Sequence, residues 1–393
     1  MASFPLMRHF WTLVSLIWMA CWIFSLRWTI LAIENSTYST TQRFQNQLGN
    51  QDIPRDEIMQ QQHNHDDTTI AKEIIGIELQ IPSPIPGQDA IQVVFASSTA
   101  TDNLSAISAS KGLVLLLHAC SHSALKFFSP SPQCPGCVGL SEELRIVRLV
   151  LERGYTPVAI SCIDQRRRCW SEPRDIPRIQ HVFKHSLFAN YQRSNGRVFS
   201  IGASSGGAFA ANLVNRQMAQ AAVVMVMSLS NEEVTKLKNN PKPIYFAPMP
   251  RDKATMKRVI QNYQDLHNIA NSNGNSKQKV ILDTQTCDSL PVTPSYLIQR
   301  VPHMTEEAAI SLVSKLKSAG HISLSSNMMN IDPTTSNWRD IISPTNSTHW
   351  LGQFALKPGY SSLAKALHRA WAFHEYCSEV IVPALAFFEQ QLE

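Results

Sequence analysis

The residues of this chain best suited to chemistry stand together in Gly202-Ala203-Ser204-Ser205-Gly206. An apolar run at 198–201 precedes them and Gly207-Ala208-Phe209-Ala210-Ala211 follows, so the pattern is strand, Gly-x-Ser-x-Gly, helix. A turn this sharp strains the backbone of its central residue and tolerates only small neighbours, and it lifts that side chain above the sheet. Ser204 at the apex can serve as the nucleophile of an acyl transfer, beside a helix N-terminus whose dipole favours developing negative charge. An ordinary Gly/Ser turn is the plainer reading of five residues alone. The strand before and the helix after favour the nucleophile.

A serine hydroxyl used in this way needs a base to take its proton, a group to orient that base, and donors for the oxyanion. Five histidines follow the last strand-like segment: His303, His321, His349, His368 and His374. His303 and His321 flank a helical pattern at 305–319, and His349 adjoins a glycosylation sequon at Asn346, a poor setting for a held imidazole. His368 and His374 lie in 361–389, where Leu363, Leu367, Ala370, Cys377, Ile381, Leu385 and Phe388 recur at helical spacing, so the whole stretch reads as helix. Among the aspartates, Asp252 directly precedes a helical pattern, where capping is the common role, and Asp283 and Asp288 are fallback acids. Arg166-Arg167-Arg168-Cys169-Trp170 can recognise an anionic or sugar group by charge-assisted bonds and stacking, a solvated loop being the plainer reading. His118 reads as a structural histidine bracing its loop.

The elements that must position these groups come next. The chain has 393 residues, 44% apolar and 17% charged, which allows one large α/β domain with additions and excludes global disorder. A net charge of +5 and no basic run longer than three arginines give no footprint for nucleic acid. No phosphate-binding Gly-rich loop, dinucleotide fingerprint or His-Glu-x-x-His occurs, so neither cofactor nor metal is expected. Residues 1–33 hold Arg8 and His9, an apolar run at 10–26, and a second apolar stretch after Arg27, with no small-residue cleavage site beyond. A signal anchor is expected, leaving the rest of a single-pass membrane protein lumenal or extracellular; a cleaved signal peptide and a secreted protein are the alternative. Sequons at Asn35, Asn103 and Asn346 and eight cysteines agree with an oxidising compartment. Cys134 with Cys137, and the close pair Cys162 and Cys169, are compatible with disulfides. Residues 34–72 are a polar linker.

From 73 onward, strand-like segments at 74–81, 91–96, 113–117, 156–161, 198–203, 221–227, 244–248 and 279–283 alternate with helical patterns at 141–153, 175–191 and 253–271. Runs such as Leu113-Val114-Leu115-Leu116-Leu117 have no polar interruption, as in strands covered on both faces, and the alternation implies a parallel sheet with right-handed crossovers.

This order resembles the α/β-hydrolase superfamily over 73–285 plus the C-terminal helix. The resemblance implies a mostly parallel eight-stranded sheet flanked by helices, with the nucleophile after the fifth strand, the acid after the seventh and the histidine after the eighth. It points to Ser204, Asp252 and His374, the last beside Glu375 at the start of the final helix. It also implies oxyanion donors from the N–H of Ser205 and from the loop His118-Ala119-Cys120, where Ala119 stands in place of the usual glycine and either Ala119 or Cys120 supplies the second donor. The chain departs from the family in 286–359, read as a lid or accessory insertion before a C-terminal helix at 360–393. The implied activity is a serine hydrolase cleaving an ester or related acyl bond of a small-molecule or lipid-like substrate through an acyl-enzyme. A prolyl-oligopeptidase-like peptidase, an acyltransferase, and a non-catalytic hydrolase-fold binding protein are the alternatives.

Overall fold

Strands that are apolar on both sides can be shielded only between two layers of helices. The computed structural model has that arrangement; it describes residues 74–97, 110–164, 166–193, 196–272, 282–342 and 361–392. The expected anchor and linker, the three sequons and His349 lie outside the described residues. Among the described residues no helix is long and apolar enough to cross a membrane.

Eight strands form one sheet: β1 (Ile75–Ile81), β2 (Ile91–Ser97), β3 (Gly112–Leu117), β4 (Thr156–Ile160), β5 (Arg197–Ala203), β6 (Ala221–Met225), β7 (Ile244–Ala247) and β8 (Leu282–Thr284). Their order is β1-β2-β4-β3-β5-β6-β7-β8. β2 pairs antiparallel with both β1 and β4, and every other pairing is parallel. This is the mostly parallel eight-stranded sheet of the α/β-hydrolase fold. The single reversal of order beside β3 puts the loops after β3 and β5 side by side at the carboxyl edge, where open α/β sheets place their ligands.

Alternation along each strand divides the core. Leu113, Leu115 and Leu117 face one layer, and Val114 and Leu116 face the other. The helices begin with α1 (Ser141–Glu152), and the first layer contains α2 (Glu172–Lys184), α3 (Ser186–Arg193), α4 (Ser205–Asn215), α5 (Asn231–Asn239) and α6 (Lys253–Ser272). α1 packs on the opposite face with the last helix, Ile381–Leu392, through Ile146, Val150, Ile381, Leu385 and Phe388. Each such side chain, fully withdrawn from water, contributes roughly 1.5–3 kcal/mol.

A third core lies apart from the sheet. It joins α7 (Pro294–Arg300), α8 (Glu306–Ser318), α9 (Trp338–Ile342) and α10 (Ser362–Trp371) around Leu297, Leu312, Trp338 and Leu367. The Tyr296 hydroxyl donates to the Ala366 carbonyl at 2.7 Å across it. Residues expected to form one continuous helix, 361–389, are therefore two. α10 completes the accessory core, and α11 (Ile381–Leu392) completes the sheet layer. The break falls where Ala372 turns left-handed, at φ 58°, and satisfies the carbonyls of His368 and Arg369.

The cysteines also differ from expectation. Cys134 pairs with Cys137, but Cys169 pairs with Cys120, Cys287 pairs with Cys377, and Cys162 is a free, buried thiol. Sequence proximity suggested Cys162 for Cys169. Cys162 is instead buried at the end of β4, its N–H held by His118 Nε2 and its thiol beside the Asp164 carbonyl.

Candidate active site

The site begins at the turn between β5 and α4. Ser204 sits there at φ 54° and ψ −123°, a conformation rare for any residue with a side chain. The close approach explains its glycines. A Cβ on Gly202 would lie 2.2 Å from the Gly206 carbonyl oxygen, and one on Gly206 would lie 2.2 Å from that of Leu117. No side chain fits at either position. The Ser204 N–H donates to the Met225 carbonyl at 3.0 Å, which fixes the apex against β6.

Two distant segments meet Ser204. His374 Nε2 is 2.9 Å from Ser204 Oγ, and His374 Nδ1 is 2.7 Å from Asp252 Oδ2. With the Nδ1 proton donated to the carboxylate, Nε2 is left to accept from the serine hydroxyl. Asp252 follows β7 and also caps α6, its Oδ1 accepting from the Thr255 N–H at 3.2 Å. The same carboxylate thus meets His374 and caps the helix. Burial opposes ionisation of Asp252, but the hydrogen bonds from His374 and Thr255 outweigh it and hold the carboxyl below its ordinary value. A hydroxyl, an imidazole and a carboxylate in this row can move a proton off the serine as it attacks an electrophile.

His374 is not inside a helix. It occupies the short connection between α10 and α11 at φ 45°. Long-range contacts clamp that connection. Cys377 is bonded to Cys287 beyond β8, the Ser378 N–H donates to Glu142 at 3.0 Å, and the buried Glu375 meets Lys365 at 2.8 Å. Arg300 bridges Glu142 and Glu379, and Arg369 binds Glu379 at 3.0 Å. Inside a protein, removing one partner of such a pair costs more than the pair contributes.

The oxyanion candidates separate on their partners. Ser205 opens α4, so its N–H has no intrahelical acceptor. The Ala119 N–H donates to the Tyr376 hydroxyl at 2.9 Å, and that hydroxyl donates in turn to the Leu117 carbonyl. Ala119 is therefore committed to bracing the loop, and Cys120 is the remaining candidate there. Its sulfur lies 3.3 Å from the Ser205 hydroxyl and, as a disulfide sulfur, can only accept. A cleft of about 160 Å³ is lined by Cys120, Ser204, Lys365, His374, Glu375 and Tyr376.

His118 is wholly buried. Burial lowers its pKa to about 3, against the hydrogen bond to the Ala119 carbonyl. Its neutral ring donates through Nδ1 at 2.8 Å and accepts the Cys162 N–H through Nε2 at 3.0 Å, which is a brace between two loops. Trp170 of the arginine loop stacks on Phe209 at 4.5 Å and donates to the His118 carbonyl.

The other candidates lie elsewhere. Asp283 is within β8, opposite Tyr245. Asp288 offers its main-chain carbonyl to Arg369. His321 bonds Asn337 in the accessory core, and His368 faces Glu375 at 3.8 Å. Tyr376, Lys365 and His122 were not anticipated as parts of the site. The spacing of Lys365 and Tyr376 around His374 carried no signal, because α10 and its connection were read as one helix. Among the described residues no group of His, Cys, Asp and Glu could hold a metal ion.

No protein-family model matches the chain, and no curated protein matches it. Solved structures similar to it include a ferulic acid esterase, 13% identical with a TM-score of 0.36 over 55% of this chain and 90% of that one. Another is a dienelactone hydrolase from Anabaena variabilis, at 16% identity and a TM-score of 0.31, covering 62% and 96%. A third is Est1E from Butyrivibrio proteoclasticus, at 8% and 0.35, covering 54% and 88%. The fold assignment rests on the strand order of the sheet itself.

Proposed function

We propose that the protein is a serine hydrolase that cleaves an ester or related acyl bond through an acyl-enzyme. The observation that carries this is the row from Ser204 Oγ through His374 to Asp252, with the serine at the apex of a strained strand-to-helix turn. In the proposed cycle His374 Nε2 takes the Ser204 proton as Oγ attacks the carbonyl carbon. The oxyanion so formed is held by the N–H groups of Ser205 and Cys120. His374 then gives its proton to the leaving alcohol. Water, deprotonated by the same imidazole, attacks the acyl-serine and restores the site. Asp252 keeps the Nδ1 proton in place and balances the imidazolium. The histidine side chain is 40% exposed, so water reaches it directly.

The proposed setting is the lumenal or outer face of a membrane, tethered by residues 10–33. The three disulfides support an oxidising compartment. One experiment tests both parts: fluorophosphonate labelling of cell fractions expressing the full chain or Ser204→Ala. Labelling is expected only with Ser204 present, in a band that resists alkaline extraction and shifts with glycosidase. Ester hydrolysis should fall roughly 10⁴-fold or more in the variant. Undiminished labelling of Ser204→Ala would sink the activity, and a soluble unglycosylated band the location.

A further inference from the structure

A second cavity, about 200 Å³, opens beside the cleft that holds Ser204. His122 is a wall of both. The second lobe is lined by Lys126 and Arg168, with Gln92, Ser161 and His118 among its other polar groups, and by no aspartate or glutamate. Since His118 stays neutral, its ring adds no charge. Lys126 is buried, which lowers its pKa to about 8 against the pull of the nearby Glu143 carboxylate, so the ammonium persists at neutral pH. Glu143 sits behind His122, bonded to its Nδ1 at 3.0 Å, rather than on the lobe's wall. Arg168 reaches the lobe from the arginine loop. That loop is held by the Cys120–Cys169 disulfide and by the Ser121 N–H on the Arg167 carbonyl at 2.9 Å. The same disulfide thus ties a cation of the second lobe to the loop that faces Ser204.

We infer that this lobe seats an anionic group of the substrate, a carboxylate or similar oxyanion, between Lys126 and Arg168 while the scissile ester reaches Ser204 past His122. The inference rests on the hydrolase reading above and adds the substrate class. Charge-assisted bonds to an ammonium and a guanidinium are strong where water is partly excluded. A neutral group entering the same lobe would displace water from the partly buried Arg168 and offer no charge in return. The lobe therefore discriminates by charge.

The test compares kcat/KM for two matched pairs on the full chain. 4-Nitrophenyl hydrogen succinate against 4-nitrophenyl butyrate places the charge on the acyl side. 4-Acetoxybenzoate against 4-acetoxybenzamide places it on the leaving group. The anionic member of at least one pair is expected to win by about tenfold or more, mainly through KM, the effect of one bond to a charged group. Lys126→Met and Arg168→Asn should each bring that ratio toward one; asparagine suits the φ of 51° at Arg168. Arg168 is only partly buried, so its variant decides if Lys126→Met fails to fold. A ratio near one in the parent chain, or one that neither variant moves, overturns the inference while leaving Ser204-dependent hydrolysis standing. If no ester is turned over, calorimetric binding of 4-hydroxybenzoate against 4-hydroxybenzamide decides the lobe independently. Equal affinities would overturn it, and tighter binding of the anion that Arg168→Asn abolishes would uphold it.

Discussion

Ser204 and His374 lie 2.9 Å apart, yet the segments that carry them are held by different means. The serine is placed by its own neighbours. Gly202 and Gly206 allow backbone contacts that no Cβ permits, and the N–H of Ser204 bonds β6. The histidine is placed by a disulfide to Cys287 and a carboxylate on α1, both far away in the chain, and by an ion pair between Glu375 and Lys365 of α10. The first is built from one turn and the strands that flank it. Only a finished tertiary structure holds the second.

Loss of His374, the proposed base, should cost most. His374→Ala is expected to lower ester hydrolysis by a factor on the order of 10²–10⁴ at neutral pH, with KM little changed. His349→Ala is the control. Activity that survives the first change and vanishes with the second would move the base out of the clamped connection altogether.

Next comes removal of the clamp. Cys287 and Cys377 are 90 residues apart, and by chain entropy their bond contributes about 4.6 kcal/mol. The double variant Cys287→Ala/Cys377→Ala should unfold at correspondingly lower denaturant concentration. Hydrogen exchange should also quicken around residues 372–378 while 203–210 keep their protection. Equal loss at both would show that the two segments are not held separately.

Acid should give the smallest effect and the same asymmetry. Burial disfavours the Glu375 carboxylate, but Lys365 and His368 more than compensate, so its pKa is lowered from 4.5. Asp252 is lowered from 3.8. Both groups are depressed in the folded state, so their contribution is fully present above those ordinary values and is lost progressively as pH falls below them toward the lowered folded values. Residues 197–211 contain no acid. Between pH 5 and 3 exchange should rise at 372–378 before it rises at the turn. The reverse order would show that these carboxylates do not hold the connection.

The same contrast explains what could be read in the amino-acid sequence. Strands such as 113–117 and the Gly-x-Ser-x-Gly turn were legible because each carries its own local pattern. Asp252 and His374 were reached through the family resemblance, by strand counting. The break before His374 was hidden. It lies at Ala372, a residue with no special propensity for the left-handed region, and is imposed by the packing of α10 and α11 on two different cores. The commitment of the Ala119 N–H to Tyr376 was equally invisible, since the two are 257 residues apart.

The free thiol of Cys162 has a consequence for the order in which the chain is made. Cys162 and Cys169 are seven residues apart, whereas the native partners Cys120 and Cys169 are separated by 49. In an unfolded chain the shorter loop closes with an entropic advantage of about 2 kcal/mol. Burial then pushes the Cys162 thiol up to about 12, which removes the thiolate that exchange requires. Forming β4 and its helical cover before oxidation reaches Cys169 therefore favours the native pairing. A chain oxidised too early would carry the shorter loop until the Cys120 thiolate attacked Cys169 and released Cys162.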